Sequence, residues 1–333
     1  MVISLGYKDL TCILMLLLIA SISLLWDSGI DAFPLSLEFE LNESSQIMAT
    51  ILYEIRIPRL LVAGICGAGL AGAGVLSQAL FRNALASPSV LGISSAGTFC
   101  ACLVFYLDWT WSTWFALPFA AFLGACLNTL VVFSLTRYNQ VFQTDRLLLA
   151  GLALSSLWGA FTSLLISVSL EDYQKLNSMM HWMLGGFSGL GWEHLKFCSF
   201  PISISLFFAF RMCPQLNLLS LGSEYATSLS VSVPKLKTKV LIVIGILVAV
   251  IVSLAGMLPF VGLLVPHLTR LIVGPEHKRL FLLSVLNGSS LTILADLFAR
   301  KILAPIEMDV GVFTALMGAP FFLIMLWKRN GAE

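Results

Sequence analysis

From Leu60 to Leu80 the chain carries no charged side chain, and a charge-free stretch of that length folds stably in few ways other than across a lipid bilayer. Comparable apolar runs recur at about Leu10–Trp26, Val90–Leu107, Trp114–Leu135, Leu147–Ser169, Leu195–Phe210, Val240–Leu254, Phe260–Leu268, Leu280–Ala299 and Val310–Trp327. In hydrocarbon each backbone amide needs a partner within its own segment, so these runs read as helices. The expected fold class is therefore an all-α polytopic membrane protein of about ten transmembrane helices, some of them short or partial. Residues 1–333 are expected to form one membrane domain. Charged residues make up 11% of the chain, against about 25% in a soluble domain, while hydrophobic residues reach 58%. A net charge of +1 points to neither a nucleic acid nor an acidic partner.

The exceptions to the long runs carry information. Phe260–Leu268 is too short for a full span, with Pro259 and Pro266 expected to break it into a short helix ending near His267 and Arg270, and Met179–Leu190 is short and rich in glycine (Gly185, Gly186, Gly189), as expected of a partial helix lining a cavity. The run Leu10–Trp26 follows a single lysine and has no clear small-residue cleavage motif, which favours an uncleaved first helix over a signal peptide. In the second run Gly64, Ala68 and Gly72 repeat every fourth residue, a spacing that lets helix backbones approach closely. The seven cysteines lie mostly inside apolar runs and read as small packing residues, not as disulfides or metal ligands.

Alternating sides from a cytoplasmic N-terminus leaves only Arg56, Arg59, Lys175, Lys196, Arg300 and Lys301 outside, and the other 13 of the 19 basic residues inside. Both termini are then cytoplasmic. On this arrangement the polar insert Leu216–Lys239 is also cytoplasmic. Ser223 is positioned to cap a short helix on which Leu221, Tyr225 and Leu229 fall near one side, and Pro234 is expected to stop it. Such a helix is either a contact for a soluble partner or an ordinary loop. Arg56, Arg59 and Arg300 are outside charges that either snorkel to headgroups or serve an external acidic partner.

Little in the chain suggests chemistry of its own. G-x-G-x-x-G occurs formally at Gly67, Gly69 and Gly72 but without a preceding strand, and there is no G-x-x-x-x-G-K-[ST]. The four histidines are dispersed and form no metal-ligand set. Asp296 is the one carboxylate deep in an apolar run. An i,i+4 pair with Arg300 accounts for it structurally, and a proton relay with Glu307 is the competing reading, that of a secondary transporter.

The segment Gly256–Arg270, GMLPFVGLLVPHLTR, resembles the FVGLxxPHxxR signature of FecCD-family permeases, which belong to ATP-binding cassette (ABC) importers of iron-siderophore, haem and cobalamin type. Further motifs follow in the family order: Arg56–Arg59, Gly69–Gly92, RLLLAG from Arg146, WMLGG from Trp182, LNLLSLGSEYA, ADLFAR from Ala295 and VGVFTALMGAP from Val310. The resemblance runs from about Arg56 to Trp327.

The resemblance implies a permease subunit with no catalytic residues, metal or cofactor of its own. It would be joined by a second permease (an identical copy or a homologous chain), two ATPase subunits that bind ATP and Mg, and a periplasmic binding protein, in a bacterial inner membrane. It makes Leu219–Leu229 a coupling helix, with Leu219, Leu221, Glu224, Tyr225, Ala226 and Leu229 at the ATPase contact. Arg56, Arg59 and Arg300 would dock the binding protein. Asn83, Leu85, Thr144 and Asp145 would narrow the cytoplasmic mouth, unless Asn83 and Thr144 merely bond local backbone. Met179, Met180, Trp182, Met183 and Phe187 would line the path or else pack in the core. Three residues depart from the family pattern: Ala84 replaces a proline, Ser230 a glycine, and Asp309 the proline of E-x-P-V-G. The substrate expected is a ferric siderophore, with haem and cobalamin as alternatives.

Overall fold

The computed structural model describes residues 7–26, 43–109, 115–138, 141–142 and 144–330. Residues 27–42 of the polar segment after the first run lie outside the described residues. Ten helices occupy the ten apolar runs: α1 (Tyr7–Trp26), α3 (Ile57–Phe81), α4 (Ile93–Tyr106), α5 (Ala116–Thr136), α6 (Thr144–Val168), α8 (Trp192–Ser220), α10 (Val233–Ala255), α11 (Val261–Val273), α12 (His277–Lys301) and α13 (Val310–Asn330). Three shorter helices join them: α2 (Glu43–Thr50), which enters α3 through a π-helical turn at Ile51–Arg56, α7 (Tyr173–Leu184) and α9 (Ser223–Ser228). A two-residue antiparallel ladder pairs Arg137–Tyr138 with Val141–Phe142 between α5 and α6 in the chain.

Six of these helices are long and apolar enough to cross a membrane, while α1, α4, α11 and α13 contain shorter apolar stretches. Burial separates their roles. The apolar windows of α3 and α10 are 83% and 78% buried and form the centre, whereas that of α6 is 11% buried and faces outward.

The glycines of α3 explain its central place. A Cβ added at Gly67 would lie 2.3 Å from the Gly288 carbonyl oxygen of α12, and one at Gly288 would lie 2.4 Å from that of Gly67. Only hydrogen fits where these helices cross. Hydroxyls reinforce the crossing: Thr292 Oγ1 donates to the Ala63 carbonyl at 2.7 Å and Ser289 Oγ to that of Gly64 at 2.8 Å. Lower on α3, Gly74 abuts the carbonyl of Gly262 in α11. Pro266 lacks the N–H that would have bonded that carbonyl, four residues back. Pro266 thus sits inside α11 and does not break it, correcting the expectation from sequence; α11 continues to Val273. All seven cysteines are thiols, four of them buried.

Candidate functional site

Two regions stand out. The first lies around the end of α12 and the start of α13. Asp296 is 2% exposed and is held by two arginines: Arg59 donates from Nε and Nη2 at 3.1 and 2.8 Å, and Arg300 donates from Nε at 3.1 Å. Arg59 also bonds Glu307, and Arg300 Nη2 donates to Ser23 Oγ of α1 at 3.0 Å. The Asp296–Arg300 pair expected from sequence is present, one helical turn apart. The participation of Arg59, 237 residues away, had no sequence signal. Arg59 and Arg300 therefore turn their guanidiniums to an internal carboxylate, with side chains 12% exposed, while Arg56 is half-buried at the end of the π-helical turn.

Beside this cluster opens a cavity of about 470 Å³, bounded by Arg59, Phe105, His181, Trp182, Glu307 and Asp309 among others. Its wall is α7, which begins where the Asp172 carboxylate accepts the Lys175 N–H at 3.2 Å and ends at Gly185, with φ of +70°. The partial helix expected at Met179–Leu190 thus lies earlier in the chain, because the cap and the glycine set its ends. Lys175 also ties α7 to the end of α4, reaching Asp108 Oδ2 at 2.5 Å and the Tyr106 carbonyl at 3.1 Å. The Asp108 carboxylate holds the Lys175 ammonium above its usual pKa.

The cavity floor is a junction of three backbones. Gly186 N–H donates to the Ala255 carbonyl at 2.9 Å, and Gly311 N–H donates to that of Gly185 at 3.1 Å. A Cβ at Gly311 would sit 1.9 Å from the Leu184 carbonyl oxygen, and one at Gly256 would sit 2.2 Å from that of Trp182. The glycine-rich stretch was legible as irregular backbone beside a cavity; the partners of that backbone were not. Of the five path residues read from sequence, Trp182 and Phe187 border this cavity, Phe187 with a fully buried side chain; Met179 is also fully buried, and neither Met179, Met180 nor Met183 borders it. His181 is among the cavity residues that sequence reasoning missed, with Phe105, Asn177 and Ser178; its Nδ1 lies 3.1 Å from Asp309 Oδ1.

The second region is at the opposite ends of α8 and α10. Leu221 closes α8 and is 66% exposed; Tyr225 within α9 and Leu229 after it are 52% and 49% exposed. Glu224 is exposed beside them, whereas Ala226 and Leu219 face the core. Leu219 belongs to α8, so the short helix is Ser223–Ser228 and not Leu219–Leu229, and its N-cap is Gly222, not Ser223. Pro234 does not stop this helix: it opens α10, which also contains Lys235, Lys237 and Lys239. The stop is a left-handed residue, Ser230, at φ of +63°, with Val231 N–H donating to the Ala226 carbonyl at 3.0 Å. A serine adopts this left-handed conformation at a cost of about 1 kcal/mol that a glycine would not bear.

A polar knot anchors this end of α8 to the start of α12. Asn217 Nδ2 donates to Glu276 Oε1 at 3.0 Å and its Oδ1 accepts the His277 N–H at 2.9 Å, while Glu276 caps α12 through the Lys278 and Arg279 N–H groups. Burial pushes the Glu276 carboxyl up, but those donors outweigh it and hold it below its usual value. Nearby, Asn83 Oδ1 accepts the Leu85 N–H at 2.9 Å, a local turn spanning Ala84. Leu85 is half-buried, Thr144 opens α6 and Asp145 is exposed on its first turn, within electrostatic reach of Lys237.

A model of the FecCD transport family matches residues 10–328. The chain is 36% identical to the hemin transport system permease protein HmuU of Yersinia pestis, over 95% of each chain. It is 37% identical to the Fe(3+) dicitrate transport system permease protein FecD of Escherichia coli, over 84% of this chain and 86% of that one. It is 34% identical to the cobalamin import system permease protein BtuC of Halobacterium salinarum, over 92% of this chain and 80% of that one. A solved structure described as an inward-facing conformation of a proposed metal-chelate type ABC transporter superposes with a TM-score of 0.85 at 31% identity, covering 96% of this chain and 98% of the other.

Proposed function

The chain belongs to the FecCD transport family and is a multi-span permease subunit of an ABC importer, and from that premise we propose that it carries a ferric siderophore inward across a bacterial inner membrane. The observation that supports this substrate is the cavity between α7 and the start of α13, whose size suits a small ligand and whose lining mixes aromatic edges and neutral donors with internally paired charges. A wrapped chelate needs such a path, not a filter for a bare ion.

The remaining assignments belong to the same reading. The exposed row Leu221, Tyr225 and Leu229, with Glu224, receives the ATPase subunits. Asn83, Leu85, Thr144 and Asp145 stand at the cytoplasmic mouth, and Trp182 and Phe187 at the outer end of the path. The binding protein docks over Arg56, with Arg59 and Arg300 contributing charge from behind it. A second permease subunit completes the conduit, and both termini are cytoplasmic. The rival proton carrier fares worse, because a carrier carboxylate must change partners in each cycle and both oxygens of Asp296 are engaged by arginines.

Because the relatives are named for hemin, cobalamin and Fe(3+) dicitrate, the test is uptake in a strain deleted for this chain. Labelled ferric siderophore is expected to enter only when the gene is restored. Restoration of cobalamin or haem uptake alone would reject the siderophore.

A further inference from the structure

The charged groups facing the cavity are Arg59 from α3, His181 from α7, and Glu307 and Asp309 from the segment before α13. Each is matched within the protein. Arg59 is bonded by Asp296 and Glu307, and His181 Nδ1 lies 3.1 and 3.2 Å from the two oxygens of Asp309. Whether His181 is protonated or not, no cation in the described lining lacks a carboxylate partner. Neutral groups fill the rest: Asn177 and Ser178 from α7, Ser188 from the glycine loop, and Trp182, whose indole Nε1 is buried without an acceptor. Phe105 meets the Trp182 ring edge-on at 6.3 Å.

We propose that this cavity selects chelates of little or no net charge, with His181 and Asp309 as the specificity-setting pair; the proposal rests on the reading of the cavity as the outer mouth of the path. A polyanion entering here meets carboxylates at Glu307 and Asp309 and finds Arg59 already engaged by carboxylates and the His181 ring already held by Asp309, so it can gain a partner there only by displacing one. An uncharged chelate has no such requirement. Its oxygens can accept from the amide and hydroxyl donors of Asn177, Ser178 and Ser188, and its apolar edges can lie against Phe105 and Trp182. Asp309 is central because it supplies the negative charge that occupies His181; without it the imidazole faces the cavity alone.

The test uses the intact transporter, purified with its ATPase and permease partners into lipid nanodiscs but without the binding protein, so that only the membrane subunits choose. An uncharged ferric trihydroxamate and a trianionic ferric tris-catecholate are titrated, with quenching of tryptophan fluorescence as readout and Trp182→Phe as the control for its origin. The trihydroxamate is expected to bind at least about tenfold tighter, and the near-isosteric Asp309→Asn to narrow that ratio at least about threefold by tightening the catecholate. Retention of the ATPase subunits by Asp309→Asn checks that the variant is folded. Equal or tighter binding of the catecholate, a ratio unmoved by Asp309→Asn, or no quenching by either chelate would overturn the proposal. Failure of the siderophore reading shows separately, in the uptake assay: import of cobalamin alone rejects that substrate without touching the charge ordering measured here.

Discussion

Replacing Leu221 and Tyr225 together with aspartate is expected to strip the ATPase subunits from the membrane complex and to lower ATP-driven uptake by at least about 100-fold, the equivalent of about 3 kcal/mol. The two side chains, with Leu229, stand out of a short rigid turn, at 66%, 52% and 49% exposure, while Ala226 beneath them is fully buried and fixes the turn to the body. Large apolar groups on an otherwise polar protrusion are what a partner's pocket takes, and aromatic anchors in such pockets dominate binding energy. The turn also has somewhere to transmit force, since Asn217, four residues before Leu221, is bonded to Glu276 and His277 at the head of α12. The measurement is co-purification of the ATPase subunits with tagged permease, with Leu282→Asp on α12 as an exposed control outside this patch. Full retention of the ATPases by the double variant would count against the coupling assignment.

Asp296→Leu is expected to be the most destabilising single change in the membrane body, costing about 3–5 kcal/mol. The carboxylate sits between two arginines whose side chains are themselves only 12% exposed, so its removal takes away the one carboxylate that both guanidiniums share and leaves Arg59 with Glu307. It also unties α3 from α12 and, through Arg300 and Ser23, loosens α1. Thermal denaturation in detergent should show the midpoint falling by about 10 °C, on the scale expected for a chain of this size. Adding Arg59→Leu to Asp296→Leu should recover part of the loss, because it removes one of the two like charges that Asp296 had held together. A midpoint within 1–2 °C of wild type would show that the cluster carries little of the stability.

Helix number and order were legible because each apolar run has the length that lipid demands, and ten runs became ten helices. Helix ends were less so. Pro234 read as a terminator from the left and proved to be an initiator on the right, since proline suits the first turn of a helix as well as it ends one. Pro266 read as a break, yet its missing N–H is accommodated where the Gly262 carbonyl meets Gly74, a contact between residues 188 positions apart in the chain. The site divides in the same way. The exposed row Leu221, Tyr225 and Leu229 followed from a spacing of four, which is local. The pairing of Arg59 with Asp296, and of His181 with Asp309, depends on which helices lie side by side, and periodicity within one segment carries no record of its neighbours. The departure at Asp309 was visible as an odd residue; the structure supplies what it bonds.

The central claim is that this chain moves cargo only when nucleotide is hydrolysed by other subunits. The direct measurement is accumulation of labelled chelate in vesicles containing this permease with its partner permease, binding protein and ATPases, compared with vesicles lacking the ATPases but given an inward proton gradient. Accumulation is predicted in the first case, only with ATP and Mg present and unaffected by an uncoupler. Uptake in the second, abolished by the uncoupler, would contradict the account.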